Sequence, residues 1–406
     1  MKISEIKSYS ERLNIILLSI IVGTLPLTSL PKITNFFIIL LALNWLFQRN
    51  LHIKNGLVLF FSLFYLLHFV GVFYSDNSRQ AFFELEKKMT FIIFPVLLSS
   101  LPGLTAKAFK NILTVFVVAC LLSSLICLSY AIYRFLLNFS IEYFFYYPLV
   151  EVIGIHPIYL AMYICFSCFV IFYFYRPKGT DKAIRHLVFY LVLIYLIIFL
   201  FLLSARAEIL AFYIISFAFL IIYFKKKQKL LRAFISFGVL SLIFLVLVFL
   251  NPINRERFKE AINYKSEYTI EKQWGGRAER LLMWDCGFDI VKENLFVGVG
   301  TGDAIDELEE CYRAKNYAAL LFYPDISYNA HNQYLETTID LGVLGLFLLF
   351  SSLLYLIFRA IRTKDYLFLS FLVLFSIASL TESMLEVNKG IIFFTFFSSL
   401  FFCKTP

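Results

Sequence analysis

The sequence HNQYLETTIDLGVLGLFLLF (331–350) changes from polar to apolar within a few residues. It closes a polar segment of about 85 residues (251–335) and opens an apolar run that is long enough to enter lipid. His331 and Asn332 therefore stand where water meets the bilayer. This placement favours chemistry at a membrane surface.

Apolar runs dominate the rest of the chain. Of its 406 residues, 60% are hydrophobic and only 16% are charged. Several runs of about 16 to 25 residues are long enough to cross a hydrocarbon core of about 30 Å. They lack the period-2 alternation of barrel strands, so helices alone can satisfy their backbone hydrogen bonds in lipid. The sequence predicts an all-α polytopic membrane protein.

We predict about twelve transmembrane helices. Their expected positions are 13–30, 33–48, 57–73, 90–102, 111–136, 156–175, 187–204, 208–224, 233–250, 336–358, 365–381 and 389–403. The fourth is short and contains Pro95, which permits a kink or re-entrant geometry.

The spans divide the chain into three regions. Residues 1–250 form nine helices, residues 251–335 form one large loop, and residues 336–406 form three further helices.

Lysine and arginine residues indicate the orientation. With a cytoplasmic N-terminus, the inside segments hold 20 of them and the short outside segments hold 7. The positive-inside rule then places both termini in the cytoplasm and the large loop outside, in the periplasm. The net charge of +9 reflects this topology and contact with anionic membrane lipids, and we expect no nucleic-acid partner.

The large loop contains two expected helices and a turn. Residues 255–267 read as a polar surface helix, and residues 277–295 as an amphipathic helix on the membrane or the top of the bundle. The apolar face of the second helix consists of Leu281, Trp284, Phe288, Val291 and Leu295. GVGTG (298–302) favours a tight turn over a phosphate cradle, and no metal-ligand spacing occurs in the loop.

The cysteines fall into two groups. Five lie in predicted spans, and among them Cys165 and Cys168 read as small hydrophobic residues despite their CxxC spacing. Cys286 and Cys311 lie in the exterior loop, where an oxidising compartment permits a disulfide worth about 3 to 4 kcal/mol. The sequence leaves open whether this bridge forms.

Three arginines are candidates for binding an anion. Arg206 lies between two apolar runs, where it either snorkels or pairs with Glu208, or else clamps an anion at the outer leaflet. Arg277 and Arg280 stand three residues apart on the amphipathic helix, so both guanidinium groups can project from one side. Such groups suit phosphate oxygens, although many are only solvated.

His331 is the candidate general base. An imidazole titrates near neutral pH and can accept a proton, whereas the structural alternative is a helix cap shared with Asn332. His156, at the outer start of the sixth span, is either a substrate contact or a hydrogen-bonded structural residue. We expect substrate binding by Arg277, Asn332, Trp284 and His156.

Three segments together resemble a known family. SARAEILAF (204–212), RLLMWDCGFDIVKENLFVGVGTG (280–302) and HNQYLETTIDLGVLG (331–345) are similar, in this order, to the O-antigen ligase and polymerase superfamily. The resemblance implies a C-type glycosyltransferase fold in the bacterial inner membrane. It also implies a glycan donor on undecaprenyl diphosphate, with no nucleotide sugar, metal or other cofactor.

The resemblance assigns roles to three residues. Arg206 and Arg280 correspond to diphosphate-binding arginines and His331 to an essential histidine, while Arg277 has no firm counterpart. The proline usual before the glycine turn is replaced here by Asn294 and Leu295.

We expect a ligase that passes the glycan to a lipid A core sugar. A polysaccharide polymerase with the same donor is the alternative. A transporter or flippase is more distant, because it predicts two related halves that the sequence does not show.

Overall fold

The computed structural model describes residues 3–28, 30–48, 56–101, 104–226, 228, 231, 234–239, 241–242, 246, 277–322 and 327–404. These residues are predominantly helical and contain no β-sheet, only an isolated bridge between Leu104 and Lys404. The prediction of an all-α polytopic membrane protein is confirmed.

Ten described helices precede the large loop. They are α1 (Ile3–Leu27), α2 (Pro31–Gln48), α3 (Gly56–Val72), α4 (Ser78–Lys88), α5 (Thr90–Ser100), α6 (Ala106–Asn138), α7 (Tyr146–Val150), α8 (Pro157–Tyr175), α9 (Ala183–Leu202) and α10 (Arg206–Lys226). Six more are described after residue 276: α11 (Arg277–Glu293), α12 (Ala304–Ala314), α13 (Ala318–Leu321), α14 (Gln333–Arg362), α15 (Tyr366–Ala378) and α16 (Asn388–Phe402).

The helices agree with most of the predicted spans. Within the described chain, six are long and apolar enough to cross a membrane, and four shorter apolar helices accompany them. The predicted span 90–102 differs, because α5 has 11 residues and reaches only about 16 Å. Half of the predicted span 233–250 and all of the predicted surface helix 255–267 lie outside the described residues.

The first compact unit comprises residues 1–44, 106–262 and 369–377. Its centre is α8, whose residues from Pro157 to Ile171 are all buried. Helix α6 packs against α8 through Phe116, whose ring centroid lies 5.8 Å from that of Tyr163. Helix α1 runs along α6, where the Ser123 hydroxyl donates a hydrogen bond to the carbonyl of Pro26.

The second compact unit comprises residues 45–105, 263–368 and 378–406. Helices α3, α5 and α16 form its core, where Phe61 and Phe91 meet in an edge-to-face contact at 5.2 Å. At one end, the Asp303 carboxylate accepts hydrogen bonds from the backbone N–H groups of Asp76 (2.9 Å) and Asn77 (2.8 Å). Segments that follow α3 and α11 therefore meet at the same end of this unit.

Helix α14 is broken at Gly342, which has φ +64° and ψ −164°. The break leaves two backbone carbonyl groups without donors from the helix itself, and N–H groups of the glycine turn bind them instead. Val299 N–H donates to Ile339 O (2.8 Å), and Gly300 N–H donates to Asp340 O (3.0 Å). GVGTG is therefore a turn, as predicted, and it stabilises the start of α14 as a separate short helix.

Candidate active site

The loop that carries His331 is fixed by backbone contacts on both sides. Ala330 donates its N–H to Glu336 Oε2 (2.7 Å), and its carbonyl accepts a hydrogen bond from Trp284 Nε1 (2.9 Å). His331 itself adopts a left-handed backbone conformation with φ +43°. Non-glycine residues rarely adopt this conformation unless their surroundings impose it, and such strain is concentrated at functional sites.

The His331 side chain meets a buried carboxylate. Its Nδ1 lies 3.1 Å from Glu382 Oε2, with the imidazole 25% exposed and the carboxylate 8% exposed. An ionised carboxylate only accepts hydrogen bonds, so it selects the tautomer with the proton on Nδ1. Nε2 is then the ring nitrogen that can accept a proton from a substrate.

Glu382 is the residue that sequence reasoning missed. It belongs to the segment between α15 and α16, and 51 positions separate it from His331. The only available signal was its placement, because an acidic residue in a short outer connection between two predicted spans faces the same side as the large loop.

Asn332 caps the short helix that follows His331. Its Oδ1 accepts hydrogen bonds from the backbone N–H groups of Tyr334 (3.0 Å) and Leu335 (3.2 Å). The cap role considered for the pair therefore belongs to Asn332, while His331 pairs with Glu382. Substrate binding by Asn332 stays a prediction.

Helix α11 places Arg280 and Trp284 beside this loop. Trp284 binds the carbonyl of Ala330, the residue before His331, and Arg280 precedes Trp284 by one helical turn on the same face. Arg280 is partly exposed. Arg277 is the first residue of α11, and its side chain lies outside the described residues.

The five apolar residues predicted for one face of α11 divide between two environments. Trp284 and Val291 pack with the buried Met283 and Ile290 against α12 and the start of α14. Leu281, Phe288 and Leu295 are exposed, and their contact with the membrane stays a prediction.

A disulfide joins α11 to α12. Cys286 and Cys311 are bonded, with their Cα atoms 5.8 Å apart. This confirms that the bridge left open by the sequence forms. Cys165 and Cys168 are unbonded and buried, as expected for small hydrophobic residues.

Two other predicted residues lie in the first unit. Arg206 is the first residue of α10, follows a turn in which Ser204 has φ +54°, and is exposed. His156 caps α8, because its Nδ1 accepts a hydrogen bond from Ile158 N–H (3.3 Å). Within the second unit the structure brings Trp284 to the loop of His331 and Asn332, and Arg280 lies one helical turn before Trp284. The convergence of Arg280 and Arg206 on His331 stays a prediction.

These features define a class: an all-α integral membrane protein in which a histidine at the end of the polar loop pairs with a carboxylate from the segment between α15 and α16. Residues 191–350 match the family described as O-antigen ligase. This match supports a relationship to the O-antigen ligase superfamily for the part of the chain from 191 to 350. A comparison with curated proteins gave no match.

The family match supports a function of the ligase or polymerase type in general, and the family implies lipid-linked glycan substrates. The matched range covers Arg206, Arg280 and His331 but ends before Glu382.

Proposed function

We propose that the protein is an O-antigen ligase that transfers a glycan from undecaprenyl diphosphate to a lipid A core sugar. The reaction takes place at the periplasmic face of the bacterial inner membrane, with both protein termini in the cytoplasm. The observation that carries the proposal is the His331–Glu382 pair, whose histidine lies within the family-matched range, just before α14.

The reaction begins with proton transfer to His331. Nε2 accepts the proton of the acceptor hydroxyl while that oxygen attacks the anomeric carbon of the donor. The bond between the anomeric carbon and the diphosphate oxygen breaks, and its electron pair leaves with the diphosphate. Attack opposite the leaving group inverts the anomeric configuration.

Glu382 supports this step in two ways. It holds the imidazole in one orientation, and its negative charge stabilises the imidazolium that forms as the proton arrives. Both effects act through Nδ1, which leaves Nε2 facing the acceptor.

Arg280 and Arg206 stabilise the departing diphosphate. Each guanidinium offers several N–H donors in one plane, which matches phosphate oxygens. A diphosphate is already a good leaving group, so positioning and electrostatic stabilisation are sufficient for these residues to drive the transfer.

The central experiment is reconstitution of the purified protein with lipid-linked glycan and lipid A core. His331→Ala should abolish transfer while the variant still inserts in membranes and forms the Cys286–Cys311 bridge. His186→Ala is the matched control, because His186 belongs to the other compact unit and its ring contacts the carbonyl of Lys178. Normal transfer by His331→Ala would refute the base assignment.

A second measurement separates ligase from polymerase. In a deletion strain, loss of a ligase leaves long glycan chains on the carrier lipid. Loss of a polymerase leaves single repeat units there, or a core capped with one unit.

A further inference from the structure

Lys88, the last residue of α4, has no exposed surface. Its Nζ lies 2.6 Å from Glu386 Oε2 and 3.3 Å from Glu84 Oε2. Burial disfavours the ammonium charge, but Glu386 and Glu84 outweigh that effect and raise the pKa of Lys88 above its usual value. Lys88 is therefore charged inside the protein.

Glu386 is the principal partner of Lys88. Burial opposes its ionisation, but the ammonium groups of Lys88 and Lys87 outweigh that effect and lower the pKa of this carboxyl. Lys87 also donates a hydrogen bond to the backbone carbonyl of Glu386 (2.9 Å). The end of α4 thus holds both the side chain and the backbone of Glu386.

Gln333 connects this ion pair to the histidine loop. Its Nε2 donates to Glu386 Oε1 (3.1 Å), and its Oε1 accepts the N–H of Leu385 (2.5 Å). Its own backbone N–H donates to the carbonyl of Ser379 (2.9 Å). Gln333 therefore holds both ends of the segment 379–386.

The placement of Glu382 depends on these contacts. Glu382 lies inside the segment 379–386, and His331 lies two residues before Gln333. One chain of hydrogen bonds therefore runs from α4 through Glu386 and Gln333 to the start of α14.

We propose that Lys88, Glu386 and Gln333 are positioning residues that hold the Glu382 carboxylate against Nδ1 of His331. The inference rests on the proposed role of His331 as the general base. A buried ion pair is a poor source of stability compared with apolar packing of the same volume. The Lys88–Glu386 ion pair instead fixes one arrangement of the segment 379–386 relative to the loop that carries His331.

The two charges must be removed in different combinations to test this role. Lys88→Met leaves the Glu386 carboxylate buried without its main cation, which is costly and drives the carboxylate toward water. Movement of Glu386 toward water would displace Gln333 and the segment 379–386, which are hydrogen-bonded to each other. In the double variant Lys88→Met/Glu386→Gln the uncompensated charge is gone, and the new amide keeps an oxygen for Gln333.

Glycan transfer is the first readout. We expect Lys88→Met to reduce kcat on the order of tenfold to a hundredfold, because small displacements of catalytic groups have effects of this size. The double variant should recover most of the wild-type rate. A merely structural role predicts the opposite order, with the double variant at least as impaired as the single one.

The second readout does not depend on transfer. Diethylpyrocarbonate acylates neutral imidazole, and peptide mass spectrometry follows the rate at His331 with His186 as the internal reference. The assay is run at about pH 8, where an ordinary imidazole is neutral. There, loss of the carboxylate at Nδ1 lowers the nucleophilicity of Nε2, so we expect Lys88→Met and Glu382→Gln to slow acylation of His331 severalfold without affecting His186. The double variant should react at the wild-type rate. If His331→Ala still transferred glycan, the assignment of His331 as the base would fail. The acylation rates of the variants that keep His331 would still test whether Lys88, Glu386 and Gln333 position Glu382.

Gln333→Met provides a second route if Lys88→Met does not accumulate in membranes. It removes the side-chain contacts with Leu385 and Glu386 and introduces no charge. We expect the same slowing of His331 acylation. Wild-type acylation in both single variants, or a double variant as slow as Lys88→Met, would overturn the proposal.

Discussion

Nδ1 of His331 lies 3.1 Å from Oε2 of Glu382, across 51 residues of sequence. A carboxylate at this distance fixes the tautomer and the orientation of the ring, and it leaves Nε2 as the proton acceptor. The histidine therefore depends on a residue that the chain supplies from a different outer segment.

Glu382→Gln should reduce glycan transfer on the order of 10²-fold, because the amide neither selects the tautomer nor stabilises the imidazolium. The measurement is kcat in the reconstituted reaction. Glu310→Gln is the matched control, since Glu310 is an exposed carboxylate on α12. Equal rates for Glu382→Gln and the control would contradict the pairing.

Arg280→Lys should lower the rate of glycan transfer by about tenfold or more, although the substitution keeps the positive charge. An ammonium group lacks the planar set of donors that matches a diphosphate. Arg313→Lys is suitable for comparison, because Arg313 is an exposed residue of α12 that pairs with Glu309. Arg280 would be only a solvated surface residue if both substitutions were silent.

Gly342→Ala should destabilise the protein by roughly 2 to 4 kcal/mol, or prevent its accumulation, because of backbone strain at a special conformation. Gly342 has φ +64°, and an added Cβ would lie 2.3 Å from the carbonyl carbon and oxygen of Phe296. Thermal unfolding in detergent measures the effect. At Gly179 an added Cβ meets nothing within 4 Å, so Gly179→Ala should unfold at the wild-type temperature.

Removing the disulfide by Cys286→Ala/Cys311→Ala should lower the free energy of unfolding by about 3 kcal/mol. Reductant should lower the unfolding temperature of the wild-type protein and leave that of the double variant unchanged. A reductant effect of the same size on both proteins would mean that the bridge is not its target.

Acid should weaken a charged cluster that joins α11 to the end of α12. Lys315 Nζ lies 2.5 Å from carboxylate oxygens of both Asp285 and Asp289. The hydrogen bond from Lys315 is the first cause of the lowered pKa of Asp285. Hydrogen bonds from Lys292 and then Lys315 lower that of Asp289 to about 2.

A lowered folded-state pKa stabilises the protein above the unfolded pKa of about 3.9, and this contribution is lost as pH falls toward 2. Lys315→Met should therefore unfold at a lower temperature than wild type at pH 6, and the gap should close near pH 2. A gap that widens in acid would have the wrong sign for this cluster.

The sequence was sufficient to predict the long apolar helices and the position of the candidate base. Apolar runs in lipid have one backbone solution, so α6, α8 and α14 follow directly from length and composition. His331 was recognisable because it stands at the boundary between a polar loop and an apolar run. The glycine cluster was recognisable as a turn, although its hydrogen bonds to Ile339 and Asp340 were not.

The contacts that define the site were not predictable in the same way. Glu382 and Glu386 reach their partners only after distant segments fold together, and no local pattern marks such a meeting. The division of the apolar residues of α11 between protein contacts and exposed surface was not predictable for a different reason. In a membrane protein an apolar residue such as Phe288 can face outward, so periodicity alone does not identify the buried side.

The break at Gly342 also separates the histidine from the part of α14 that crosses lipid. Residues 343–362 are long enough, at about 30 Å, to span the hydrocarbon core alone. A thicker or thinner bilayer would tilt residues 343–362, while residues 333–341 keep their hydrogen bonds to the glycine turn. Acyl-chain length in reconstituted vesicles should therefore have little influence on the turnover rate.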